Sequence, residues 1–202
     1  MNKVSLIALL VVGLMLGAGT ISQTQAQSSS DESDEKVSIT MTEYSDYQCP
    51  ACAYFYPIVK KLKDKYGSQL KMNYKFFPLN SHRYSALAAR AAQAAKNQGK
   101  FLEMHNLLFE NQKQWSESPN PGPTFVNYAR ELNLDIEQFR DELNARETQE
   151  TVMKQKKEGR QAGVNATPTF IIEGEMLSSL PESFSEFDRI VEQYLNEKKK
   201  ES

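Results

Sequence analysis

Val37 to Tyr44 alternates: Val37, Ile39 and Met41 point one way, Ser38, Thr40 and Thr42 the other. That period of two predicts a strand with one buried face. The pattern changes at Pro50, where Phe55, Val59, Leu62 and Tyr66 recur at helical spacing among lysines, up to a stop at Gly67. Pro57 falls inside this helix and predicts a kink. Leu70, Met72, Tyr74 and Phe76 alternate again as a second strand, completing a βαβ unit. A long helical block follows. It comprises alanine-rich 85–98, amphipathic 101–110, then segments 124–132, 135–145 and 148–162, with Asp135 as an N-cap. Trp115 to Pro123 holds three prolines and a glycine and predicts a loop. Phe170 to Ile172 predicts a buried strand, Glu173-Gly174 a turn, and Glu175 to Leu177 its hairpin partner. Phe184, Phe187, Ile190, Val191, Tyr194 and Leu195 define a last amphipathic helix before a frayed, charged tail. Helices bracketed by strands of one sheet predict an α/β protein with a helical insertion (about 80–162) between the βαβ unit and the hairpin with its C-terminal helix.

Ahead of residue 37 the pattern is different in kind. Lys3 precedes an apolar run from Val4 to Leu16, and Thr24-Gln25-Ala26 resembles a small-residue cleavage site. Residues 1–26 therefore read as a secretory signal peptide cleaved after Ala26, with an uncleaved membrane anchor as the alternative. Residues 27–36 are acidic and without apolar side chains, which predicts a disordered linker to a domain spanning 37–200. The expected location is the periplasm or another extracytoplasmic space. Loss of Lys3 with the leader moves the formal net charge from −2 to −3, which gives no reason to expect nucleic acid as a partner.

Export changes the meaning of the cysteines, since disulfides persist in oxidising compartments. Cys49 and Cys52 are the only two, too few to staple a scaffold of this size. Their Cys-x-x-Cys spacing at a strand-to-helix junction points to a working disulfide. A thiol at a helix N-terminus meets unpaired amides and the positive end of the helix dipole, so Cys49 is the candidate nucleophile. Cys52, a turn further in, can close the disulfide or resolve a mixed one. Pro50 suits the first helical position. Glu43 falls on the core face of the first strand, six residues before Cys49. It reads as a buried acid serving the Cys52 proton, or as a strand-end side chain turned to solvent. Asp46 and Tyr47 shape the approach to the cysteines, and Tyr54, Phe55 and Tyr56 line a groove or pack as helix core. Cys-x-x-Cys is also half of a zinc site, but only His82 and His105 could supply imidazoles and neither is closely spaced, so no metal and no cofactor are expected.

Three segments carry a family resemblance: Ser45-Asp46-Tyr47-Gln48-Cys49-Pro50-Ala51-Cys52, Gly99-Lys100-Phe101 with Met104-His105, and Gly163 to Phe170. On these the chain, from Val37 to Leu195, resembles the DsbA-like thiol:disulfide oxidoreductases, which have a thioredoxin fold with a helical insertion. The resemblance implies that Pro168 is cis beside the disulfide and that Thr167 offers its backbone to a substrate strand. It also places Glu43 at the family's buried-acid position. It implies partners of two kinds: unfolded or cysteine-containing exported proteins, and a membrane redox protein. Strongly oxidising members carry histidine where this chain has Ala51, which implies a less oxidising couple, and Thr167 is closer to isomerase-type relatives. Those isomerases use an N-terminal dimerisation domain. Here only a ten-residue tether precedes the domain, so a monomer is expected. The sequence thus predicts a thiol oxidase, with a disulfide reductase or isomerase, or a metal-binding chaperone, as alternatives.

Overall fold

The computed structural model describes residues 37–201; the signal peptide and the acidic linker expected from the sequence lie outside them. Strand β1 (Ile39–Ser45) leads through a short turn into helix α1 (Pro50–Tyr66), and β2 (Leu70–Phe76) returns beside β1. Helices α2 (Ser85–Asn97), α3 (Phe101–Glu110), α4 (Gln112–Ser116), α5 (Gly122–Glu131), α6 (Ile136–Asn144) and α7 (Arg146–Gln161) follow in succession. The chain then re-enters the sheet as β3 (Thr169–Ile172) and β4 (Glu175–Met176) and closes with α8 (Phe184–Glu201). The sheet order is β2-β1-β3-β4. β1 runs parallel to β2 and antiparallel to β3, and the register sets Glu43 between Tyr74 and Phe170.

The alternation of β1 does what its period requires. Ile39, Met41 and Glu43 are all buried, and Ile39 and Met41 pack with Phe55, Val59 and Leu62 of α1 and with Phe187 and Val191 of α8. A second core lies in the helical block. Six alanines of α2 are buried there, and their small side chains let α3, α5, α6 and α7 approach the same helix. Met104, Trp115, Phe125 and Phe139 fill the space between. Helix α1 belongs to both cores, because Cys49 and Cys52 pack with the helical block while Phe55, Val59 and Leu62 pack with the sheet.

Two expectations need correction. The predicted loop from Trp115 to Pro123 contains the end of one helix and the start of another. Trp115 sits in α4, fully buried, and its indole N–H donates to the Leu108 carbonyl at 2.7 Å. Pro123 occupies the first turn of α5, where a missing N–H has no helical partner to lose. The charged tail continues α8 to Glu201, and Lys198 pairs with Glu173. Pro57 lies within α1 without ending it.

Candidate active site

Cys49 caps α1 with an extended backbone (φ −75°, ψ 123°), and its carbonyl accepts the first helical bond from Ala53 N–H at 3.1 Å. Pro50 takes the first helical position. The Cys49 sulfur therefore looks down on the free amides of the first turn. Its thiol pKa falls from 9.0 to about 5. The main cause is a hydrogen bond from Cys52, helped by Thr167 and by the backbone amides of Cys52 and Ala51, against a smaller burial penalty. Cys52 is completely buried and its thiol is pushed far up, first by desolvation and then by the neighbouring Cys49. Both cysteines are present as free thiols. Their environments drive them apart, one toward a thiolate near neutral pH and the other toward a thiol at any ordinary pH.

The peptide bond between Thr167 and Pro168 is cis. It brings the Thr167 carbonyl to 3.4 Å from the Cys49 sulfur. Residues more than a hundred positions apart are thus in contact, and the loop from Gly163 to Thr169 lines a groove of about 460 Å³ that continues over Met176 and Leu180. Both of those side chains are exposed.

Glu43 lies on β1 between Tyr74 and Phe170 with only 2% of its surface accessible. Desolvation raises its pKa to about 7, and the Ser45 hydroxyl offsets part of that rise. Ser45 is two residues on, on the same face of β1, with its hydroxyl sealed from water and without a hydrogen-bond partner of ordinary geometry. Its proximity favours the charged form of Cys52 as well as of Glu43. Glu43 also borders a cavity of about 170 Å³, with Tyr74 and His105 in its wall and Lys60 and Lys63 among its lining.

Of the residues that the sequence marks as site candidates, the structure sets Cys49, Pro50, Ala51 and Cys52 at the start of α1 with Cys49 against Thr167 of the cis Thr167–Pro168 bond, and buries Glu43 on β1. The sequence assigns Asp46 a part in shaping the approach to the cysteines but not its partners, and it does not mark Gln112. Asp46 is buried, and its carboxylate accepts from the N–H groups of Gln48 (2.7 Å) and Leu79 (2.8 Å) and contacts His82 Nδ1 at 2.8 Å. Gln112 of α4 donates through one amide nitrogen to the carbonyls of Tyr47 (2.8 Å) and Cys49 (2.9 Å). A helical-block residue thereby fixes the entry to α1, and no local signal in the sequence marks it. His105 is buried against Tyr47, Tyr56, Tyr74 and Phe109. Burial lowers its pKa to about 3, so it stays neutral and its Nδ1 faces the Tyr47 hydroxyl at 3.0 Å. Among the described residues, no group of three or more His, Cys, Asp or Glu side chains is arranged to hold a metal ion. Of the three aromatics beside the cysteines, Phe55 is core, Tyr56 is partly buried and Tyr54 is exposed.

Residues 34–193 match the family model described as Thioredoxin. The chain belongs to the thioredoxin family. Among solved structures, a thioredoxin-like oxidoreductase from Silicibacter pomeroyi is similar at 27% identity and a TM-score of 0.65, over 80% of this chain and 88% of that one. Alpha-DsbA1 of Wolbachia pipientis is similar at 20% identity and a TM-score of 0.69, over 82% and 89%. The DsbA-like fold expected from the sequence, a thioredoxin sheet interrupted by helices, is the fold observed. A curated relative, the Na(+)/H(+) antiporter NhaA 3 of Salinispora tropica, is 34% identical over 137 residues. This chain spans about a fifth of that protein's length. Among the described residues no helix is long and apolar enough to cross a membrane.

Proposed function

We propose that this member of the thioredoxin family is an exported dithiol–disulfide oxidoreductase that oxidises thiols of exported proteins through the Cys49–Cys52 pair. The observation that carries this is the split between the sulfurs. Cys49 is held near pKa 5 beside the Thr167 carbonyl, while Cys52 is buried and pushed up. Similarity to a protein named a thioredoxin-like oxidoreductase supports the same chemistry.

In the oxidising direction a substrate thiolate attacks the Cys49 sulfur of the disulfide. The Cys49–Cys52 bond breaks, and Cys52 leaves as a thiolate that takes a proton from neutral Glu43 by way of the Ser45 hydroxyl. A second substrate thiolate attacks the substrate sulfur of the mixed disulfide and expels Cys49. The substrate gains one disulfide, and the enzyme keeps two electrons and passes them to a membrane oxidant. Cys49 is the better leaving group because its thiolate is the stabilised one. The cavity beside Glu43 gives its proton a route to water. The protein works as a monomer outside the cytoplasm.

Ala51 and Thr167 favour a second reading, a reductase or isomerase kept reduced by a membrane donor. Equilibration of the pair with glutathione separates the two. A potential of roughly −120 to −180 mV supports the oxidase, and one near about −270 mV supports the reductase. Cys49→Ser abolishes exchange under either reading, and turnover retained in that variant would sink both.

A further inference from the structure

A second pocket adjoins the groove beside the cis peptide. It has a volume of about 460 Å³ and includes Asn80, Ser81, Lys156, Arg160 and Asn165 in its lining. Asn165 lines both spaces, so the two are continuous around that residue. Lys156 is 96% buried as a residue (4% accessible), and its ammonium donates to the Asn80 side-chain carbonyl at 2.7 Å. Burial and the nearby Arg160 both disfavour its charge, while Asp46 favours it. The Asp46 carboxylate is already engaged by Gln48, Leu79 and His82. Glu158, on the same helix, pairs with Lys75. Among the described residues, no carboxylate forms an ion pair with Lys156 or Arg160. Two cations therefore face one cavity, with the Asn80 side-chain carbonyl accepting from Lys156 and the Asp46 carboxylate as a more distant, already engaged counter-charge. That is a positive site without a carboxylate in ion-pair contact, beside the place where a substrate backbone would lie.

The geometry points to a subsite for an acidic side chain of the polypeptide substrate, held by Lys156 and Arg160 two to four residues from the reacting cysteine. This rests on the oxidoreductase reading above. The span follows from placement. Thr167 touches the Cys49 sulfur, Asn165 is two residues before it, and an extended peptide advances about 3.3 Å per residue. The ligand chemistry follows from the lining. A carboxylate restores charge balance to the Lys156–Arg160 pair, and the Ser81 and Asn165 side chains can donate to its remaining lone pairs. A neutral side chain leaves both cations as they are.

The test uses the full oxidised protein and single-cysteine peptides carrying Glu or Gln at positions two to four from the cysteine, on either side. Formation of the mixed disulfide is followed in low salt. Each rate is divided by that peptide's rate with a neutral small-molecule disulfide, which removes the effect of the Glu on the peptide thiol itself. The Glu peptide on one side is expected to react about three- to five-fold faster than its Gln twin, a preference that fades at high salt. Arg160 is exposed, so Arg160→Gln is expected to fold and to reduce the ratio toward one. Lys156→Gln is the second variant. Equal rates for Glu and Gln peptides in the unaltered protein would overturn the subsite while leaving the oxidoreductase reading intact. A preference that survives both substitutions would do the same. If no peptide reacts, the oxidoreductase reading fails and the subsite fails with it.

Discussion

Glu43 can be titrated, and its neighbours predict the outcome. Its pKa is raised from 4.5 to about 7 because the charged form is buried. Between those values the folded protein holds a proton that the unfolded chain releases, so this residue lowers stability as pH climbs through that window. Glu43→Gln removes the loss. The variant is expected to be more stable than the parent by about 1–3 kcal/mol at pH 8 and no more stable at pH 4, as read from denaturant midpoints. The same variant is expected to exchange disulfides about ten-fold more slowly or worse, because the Cys52 thiolate loses its proton source. Ser45→Ala makes a finer test. The hydroxyl now lowers the Glu43 pKa, so its loss is expected to shift the alkaline limb of the oxidation-rate profile upward in pH, since neutral Glu43 is the proton donor. Glu43 was legible in the sequence, since a carboxylate on the apolar face of an alternating strand stands out. Ser45 lies on that face by the same alternation and was not read, because serine is at home on either side of a strand.

At the scale of elements, the docking of α7 on the sheet depends on Gly159. A Cβ there would lie 2.7 Å from Tyr44 Cε1 and 2.9 Å from Phe77 Cδ2. Both are ring atoms in a core that also holds Val164. Gly159→Ala gains helix propensity of about 1 kcal/mol but must push the helix off two aromatic rings. The net expectation is a loss of about 1–2 kcal/mol, seen as a lower urea midpoint at unchanged slope. The helices themselves were largely readable, as the Asp135 cap shows: its carboxylate accepts from the Gln138 N–H at 2.9 Å. Trp115 was misread because prolines and a glycine shortly after it outweighed a short helix in the pattern. What fixes that helix is tertiary, a buried indole with one carbonyl to satisfy. Gln112, one turn earlier, was invisible for the same reason, since its two acceptors belong to a loop far back in the chain.

For the whole molecule, the low pKa of Cys49 ties redox state to stability. Only the reduced form has this thiolate. Between about pH 5 and pH 9 the unfolded thiol keeps a proton that the folded one has lost, so the reduced form gains stability as pH rises through that range. The gain over the oxidised form is expected to grow by up to about 1.4 kcal/mol per pH unit and to vanish as pH falls through 5. Melting both forms across this range checks it, and parallel curves would contradict the lowered pKa. The fold class was legible because the strand, Cys-x-x-Cys, helix, strand succession is local. The sheet order was less so, since β3 reaches β1 from beyond six helices. That topology has a consequence in time. β1, α1 and β2 can assemble early in synthesis, because their contacts are short in sequence. The Thr167 edge arrives only after the whole helical block has followed. For that interval the nascent chain carries two neighbouring thiols without the Thr167 carbonyl that later lies 3.4 Å from the Cys49 sulfur. Under the oxidase activity proposed above, an emerging copy is itself a thiol substrate for finished copies.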